Sequence, residues 1–448
     1  MRGVARGLAR PRAVWGRGAI LLVRTAGAAL VVALPLIVLP WGIDAYSFIK
    51  GLLTYALTLT ILLGWIVAWG VLRGPRWRFT GPELALWIYV LALLGSSATT
   101  VSPLRTFLGG PLRHEGLLAV GCYVALYFAG VHFFGSSRGT RSLFLSAAIA
   151  ALVTIGYALL QPFVPPLFAG EAFTREQYGG LGALRVLSTV GGPVVFGGYL
   201  AFMLPLLAAL ASSSLGRRRL PWLLGAGGAV VVPVLTLTRA AWLAALVGVG
   251  LFMAGAGEAR RNRQVTAVLL GAVVLGAVVL LTAVTTPSLL TARVASAVDT
   301  SSGSLAQHIY LWERTLGLVR ARPVLGWGLE TLREVFPYNR EELVRYFGRT
   351  PVIIDRAHND VLQVAVSIGI PGAAAYVTFW ILVLTGAVTL ARGTEGRDRI
   401  VAAAGIGAVT AYLVQAQFSF STVNVTPIVW LLAGALSGWS TQVKGAGR

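Results

Sequence analysis

The chain has 448 residues, 56% hydrophobic and only 12% charged, about half the ~25% charge of an ordinary soluble domain. Mean hydropathy is +0.77, and 37 Lys+Arg against 16 Asp+Glu give a formal net charge of +21. This balance excludes a soluble enzyme, a secreted disulfide scaffold and a disordered tail, and it predicts an all-α polytopic membrane protein.

The apolar residues come in blocks of about twenty, the length of a bilayer-spanning helix. The arginine-rich stretch Met1 to Gly18 precedes an apolar run that continues through Pro35 to Leu39. It is read as an uncleaved first span rather than a signal peptide. Twelve spans are predicted, at 19–39, 48–72, 82–100, 116–134, 142–161, 194–212, 222–238, 240–256, 265–284, 371–391, 400–420 and 425–440. The lone cysteine, Cys122, falls inside a span, so no intramolecular disulfide is possible.

Orientation follows from the basic residues, which hold short loops in the cytoplasm. The five arginines up to Arg17 lie on one side. Alternate loops on that side carry Arg73/Arg76/Arg78, Arg138/Arg141, Arg217/Arg218/Arg219, Arg260/Arg261/Arg263, Arg392/Arg397/Arg399 and Lys444/Arg448. Both termini are therefore expected in the cytoplasm, and the basic excess is topological, with no nucleic-acid partner implied.

Three outer loops are long, roughly 101–115, 162–193 and 285–370. The chain thus divides into spans one to nine (1–284), one large outer loop (285–370) and spans ten to twelve (371–448). In the large loop, Leu305, Ile309, Trp312, Leu316 and Val319 recur at helical steps. Arg320, Arg322 and Pro323 mark the end of that helix, and Gly326-Trp327-Gly328 makes a turn. Asn339 with Glu342 reads as a capping box for a short helix to about Phe347. Such helices would roof the bundle.

No HExxH, Cys/His cluster or Asp-x-Asp pair suggests a metal, and no Walker A motif suggests ATP. The outer face offers arginines beside spans instead: Arg185 before the sixth span and Arg239 at the turn between the seventh and eighth. Arginine at membrane depth either snorkels to the interface or meets an anion, and a guanidinium fork matches phosphate oxygens. The stretch Asp355-Arg356-Ala357-His358-Asn359-Asp360 places a histidine where the large loop re-enters the membrane. It suits proton abstraction near neutrality, or equally a helix-capping His-Asn pair.

Four stretches resemble the O-antigen ligase/polymerase superfamily of membrane glycosyltransferases. They are His358-Asn359 with Leu362, Gly369 and Gly372; Trp312 followed by Arg322-Pro323-Val324-Leu325-Gly326-Trp327-Gly328; Thr238-Arg239-Ala240-Ala241-Trp242; and Arg185 before Pro193 and Leu204-Pro205-Leu206. With the span pattern, the resemblance covers most of the chain. Two departures stand out: Gly192-Pro193 replaces an Asn-Pro pair common in the family, and His308 stands where many members have arginine.

The resemblance implies a GT-C-like bundle in the cytoplasmic (inner) membrane with its active site on the outer face. It implies metal-independent, inverting transfer of a glycan, without a cofactor, from an undecaprenyl-diphosphate donor to an acceptor hydroxyl on lipid A-core or another glycan, among membrane lipids. In that frame His358 is the general base, Arg185, Arg239 and Arg356 bind the diphosphate, and Asn359, Arg113 and His308 support them. Asp44 is the alternative base. The basic excess and single large outer loop favour a ligase, as in lipopolysaccharide biosynthesis. A polysaccharide polymerase with the same donor, a pilin-glycosylating transferase and a lipid-linked glycan transporter are the alternatives. Transport is disfavoured because few charges lie mid-span.

Overall fold

The computed structural model describes residues 2–41, 44–72, 79–111, 113–164, 167, 185–257, 267, 271, 303–348 and 352–446. Every regular element among them is helical. In chain order these are α1 (Arg2–Leu36), α2 (Ser47–Leu72), α3 (Glu83–Ala98), the short α4 (Pro103–Leu108), α5 (Leu117–Ala129), α6 (Ser137–Leu160), α7 (Pro193–Ser213), α8 (Leu220–Leu235) and α9 (Arg239–Gly255). After them come α10 (Gly303–Ala321), α11 (Leu332–Val335), α12 (Arg340–Phe347), α13 (Asp360–Arg392), α14 (Gly396–Ala416) and α15 (Thr426–Ala446).

Seven stretches among the described residues are long and apolar enough to cross a membrane: Gly16–Leu36, Ser47–Gly70, Leu117–Phe134, Ser137–Phe163, Pro193–Ser213, Asp360–Arg392 and Gly396–Ala416. Glu83–Ala98 and Arg239–Gly255 are shorter apolar helices. The expected ninth span, 265–284, and the loop up to residue 302 lie outside the described residues, apart from Ala267 and Gly271. The protein is therefore an all-helical, multi-pass membrane protein, and the count of twelve stays an expectation.

Membrane helices gain little from burying apolar surface against one another, so they associate where small residues let backbones close in. The crossing of α15 with α5 follows this rule. Gly434 and Gly438 lie one turn apart, and a Cβ on Gly434 would sit 1.9 Å from the Tyr127 carbonyl oxygen. A π-turn at Gly130–Phe134 continues α5 at the same crossing. α7 and α15 are buried on nearly all sides and form the centre of the bundle.

The sharpest departure from a regular span is in α13. It starts at Asp360, so the expected edge at 371 falls at a kink within it, where Gly369 adopts φ 79° and ψ 173°. Pro371 has no N–H, and the break leaves the Val366 and Ser367 carbonyls without helical donors. The Pro323–Gly328 turn replaces them: Trp327 N–H donates to Val366 O at 3.0 Å and Gly328 N–H to Ser367 O at 2.9 Å. Ile370 N–H donates in turn to Pro323 O at 2.7 Å. Two of the motifs noted in the sequence are thus one joint, with turn and kink completing each other's hydrogen bonds.

The loop helices follow their sequence signals with two differences. Asn339 Oδ1 accepts from Glu341 and Glu342 N–H at 2.9 and 3.2 Å, so α12 is capped as expected. Glu342, however, turns its carboxylate to Arg314. On α10 the buried side chains are Ala306, Tyr310, Leu311, Thr315 and Val319, while Leu316 is exposed. The buried face is rotated from the expected stripe because Tyr310 stacks on Tyr346 of α12, with ring centroids 4.7 Å apart. Leu305 and Trp312 look instead into a cavity described below.

Candidate functional site

The described parts of the loops joining α1 to α2, α3 to α5, α8 to α9 and α14 to α15 meet the segments 185–192, 303–348 and 352–359 at one end of the bundle. Cross-links between them fix this: Lys50 Nζ donates to Thr189 O at 2.9 Å, Arg113 Nε to Asp355 Oδ2 at 2.8 Å, and Asn359 Nδ2 to Gln417 O at 3.2 Å. Backbone strain collects here too. His114, Ser188, Leu237, Glu330 and His358 are the non-glycine residues with positive φ among the described residues, and all lie in loops at this end. Left-handed conformations cost free energy for non-glycine residues and concentrate where surrounding structure over-determines them, often at functional sites.

Arg185 is buried, and its Nε donates to Thr236 O at 2.8 Å while Nη2 donates to Thr238 Oγ1 at 3.3 Å. The first bond places a cation on a carbonyl just past the C-terminus of α8, where the helix dipole favours it. Arg185 thereby fastens the approach to α7 onto the turn that starts α9, and Arg239 is the first residue of α9. These two arginines line a cavity of about 410 Å³ together with His308, Leu305 and Trp312 from α10 and Phe418 from the α14–α15 loop. Two guanidinium groups and an imidazole against apolar walls suit an anion carried on a hydrocarbon chain.

His358 stands directly behind His308, their rings 5.6 Å apart and edge to face. It also meets Phe420, with ring centroids 5.3 Å apart. Burial pulls its pKa down to about 4, and the neighbouring His308 adds to this. At neutral pH the imidazole is therefore uncharged and able to accept a proton. Asn359 does not touch the ring in the hydrogen bonds it makes. Its Oδ1 caps α13 by accepting from Leu362 N–H at 2.9 Å.

The remaining sequence candidates are gathered at the same end but are engaged with other partners. Arg356 is buried between Glu115, at 3.0 Å, and Glu330. Burial disfavours its charge, but the two carboxylates outweigh that and hold the guanidinium ionised. It sits with Asp360 and Gln363 at a separate small cavity, not at the one Arg185 and Arg239 line. Arg113 pairs with Asp355 and lies over the Phe420 ring at 4.5 Å. Asp44 caps α2, accepting from Tyr46, Ser47 and Phe48 N–H at 3.1, 2.8 and 3.0 Å, with His114 Nε2 3.6 Å away. Burial would raise its pKa, but these contacts win and lower it, so its carboxylate is a weak base.

Glu115, Glu330 and Phe420 were not singled out from sequence. Acidic residues are scarce here, 16 in the whole chain, so two of them flanking the outer motifs were a usable signal for the Arg356 cluster. Phe420 carried no such signal. Among the described residues no group of three or more His, Cys, Asp or Glu is placed to hold a metal ion.

Residues 224–377 match the family model described as O-antigen ligase. That stretch holds Arg239, His308, Arg356 and His358, while Arg185, Arg113 and Asp44 lie before it. No curated protein matches the chain.

Proposed function

We propose that this multi-pass membrane protein, whose residues 224–377 match the O-antigen ligase family model, is a member of that superfamily and transfers a glycan from an undecaprenyl-diphosphate carrier to an acceptor hydroxyl. The reading is a ligase-type, metal-independent, inverting transfer on the outer face of the cytoplasmic membrane, with both termini inside. The observation that carries it is the convergence of Arg185, Arg239 and His308 on one cavity, with the His358 ring immediately behind His308.

In this reading the diphosphate lies against Arg185 and Arg239, and its hydrocarbon tail leaves between the spans. The acceptor oxygen attacks the anomeric carbon from the face opposite the diphosphate. The carbon–oxygen bond to the phosphate breaks, and undecaprenyl diphosphate departs with the bonding electrons. His358 takes the acceptor proton, a contribution of about 10²–10⁴-fold for general bases. The arginines stabilise the charge gathering on the leaving group, where preorganised cations act most strongly. A bound dianion nearby also favours the protonated form of His358, so donor binding itself strengthens it as a base.

Analysis of carrier-linked glycan in cells lacking the protein tests this. Long polymer stalled on the carrier supports a ligase handing glycan to lipid A-core or another acceptor. Single repeats stalled there assign the same site to a polymerase. An unchanged carrier pool refutes both and returns the transporter reading to consideration.

A further inference from the structure

A second cavity lies at the same end of the bundle. Its volume is about 210 Å³, and its walls include Ser47, Arg113, Glu115, Val195, Thr422 and Asn424. A chain of contacts links it to the base: Phe420 packs on His358 at 5.3 Å, and Arg113, which lines the cavity, lies over that same ring at 4.5 Å. The two cavities are lined by near neighbours in the chain. Val194 lines the first and Val195 the second, and likewise Phe418 the first and Thr422 the second. His358 is thus tied through His308 to the first cavity and through Phe420 and Arg113 to the second.

The second compartment is polar without being an ion site. Arg113 spends its Nε and Nη2 on Asp355, at 2.8 and 3.4 Å. Glu115 spends its two carboxylate oxygens on Tyr123 and Arg356. Asn424 is 97% buried (3% exposed). Its Nδ2 donates to Val190 O at 2.7 Å, which aims its Oδ1 elsewhere, and that oxygen has no hydrogen-bond partner among the described residues. A buried acceptor left unsatisfied costs about 1–3 kcal/mol, so it marks a place for a donor. With the hydroxyls of Ser47 and Thr422, the wall offers neutral acceptors and donors. The volume is that of about seven waters at ~30 Å³ each, the size class of a single sugar ring.

We propose that this cavity is the acceptor subsite and binds an uncharged sugar ring through Asn424 and Thr422, with Phe420 as the partition that must move for its hydroxyl to reach His358. The assignment rests on the glycosyltransferase reading above. It divides the substrates by chemistry: anion on the arginine side, neutral polyhydroxyl on the asparagine side.

The test is saturation-transfer NMR on the full chain in nanodiscs, with glucose, galactose and N-acetylglucosamine as probes, beside a separate binding measurement with undecaprenyl diphosphate. Wild type is expected to show transfer to at least one monosaccharide. Thr422→Val and Val195→Phe are expected to weaken that binding at least tenfold while leaving undecaprenyl diphosphate binding unchanged. Val194→Phe is expected to do the reverse. No monosaccharide signal in wild type, or a signal indifferent to Thr422→Val and Val195→Phe, overturns the subsite. Failure of wild type to bind undecaprenyl diphosphate, with the sugar pattern intact, sinks the donor reading instead. Asn424→Leu adds a third variant whose folding is checked by its thermal transition.

Discussion

His308 and His358 face each other edge to face at 5.6 Å, one lining the arginine cavity and the other standing behind it. Two imidazoles this close cannot both be charged without mutual repulsion. Burial first, and His308 second, lower the pKa of His358 to about 4. The sign follows directly: the neutral, proton-accepting form is present above that value and lost as pH falls through it. The pH profile of kcat/KM, which reports the free enzyme, should be flat from pH 6 to 8 and fall on an acid limb near 4. Replacing His308 with Gln removes one depressing influence, so the limb should move upward. An unmoved limb would show that His308 does not act on His358.

The arginines make a second prediction. Arg185 donates from Nε to Thr236 O and from Nη2 to Thr238 Oγ1, a two-point tie that Arg185→Lys cannot reproduce. Arg239→Ala should lower kcat about 10²–10³-fold, the range for losing one charge-stabilising donor. Arg185→Lys should lower it as well. Steady-state turnover with intact folding, checked by thermal unfolding, measures both.

Arg356 behaves differently if its place between Glu115 and Glu330 is structural. Removing one partner of a buried ion cluster strands the other charges and costs about 3–5 kcal/mol. Arg356→Met should therefore sharply lower the unfolding temperature. Adding Glu115→Gln and Glu330→Gln should restore much of it. A stable Arg356→Met protein with no activity would instead return Arg356 to the diphosphate.

At the joint between turn and kink, Gly369 has φ 79°, and a Cβ there would meet Val324 O at 2.0 Å. Gly369→Ala should displace the Pro323–Gly328 turn and cost at least ~1–3 kcal/mol from the backbone alone. Folded yield in the membrane is the readout, and Gly317→Ala, in open space on α10, is the control.

The sequence made the helical membrane architecture plain, because apolar blocks and loop arginines are local signals. Arg185, Arg239, His308 and His358 were nameable for the same reason: each is a polar residue where a span meets a loop. Their assembly was not legible, since it depends on loops far apart in the chain meeting at one end. The role of Asn359 was open between orienting a base and capping a helix, and its hydrogen bond to Leu362 N–H favours the cap. The buried face of α10 was misjudged because Leu305 and Trp312 turn toward a cavity, and periodicity cannot tell a cavity wall from a core. Arg356 looked like its neighbouring arginines until Glu115, 241 residues away, closed on it.

The most direct test of the central claim is release of undecaprenyl diphosphate from a glycan-loaded carrier by the purified protein, with an acceptor glycan present. Wild type should release it with stoichiometric glycan transfer, and His358→Ala should be about 10²–10⁴-fold slower with carrier binding retained. Release by His358→Ala at the wild-type rate, or none by wild type, would contradict the account.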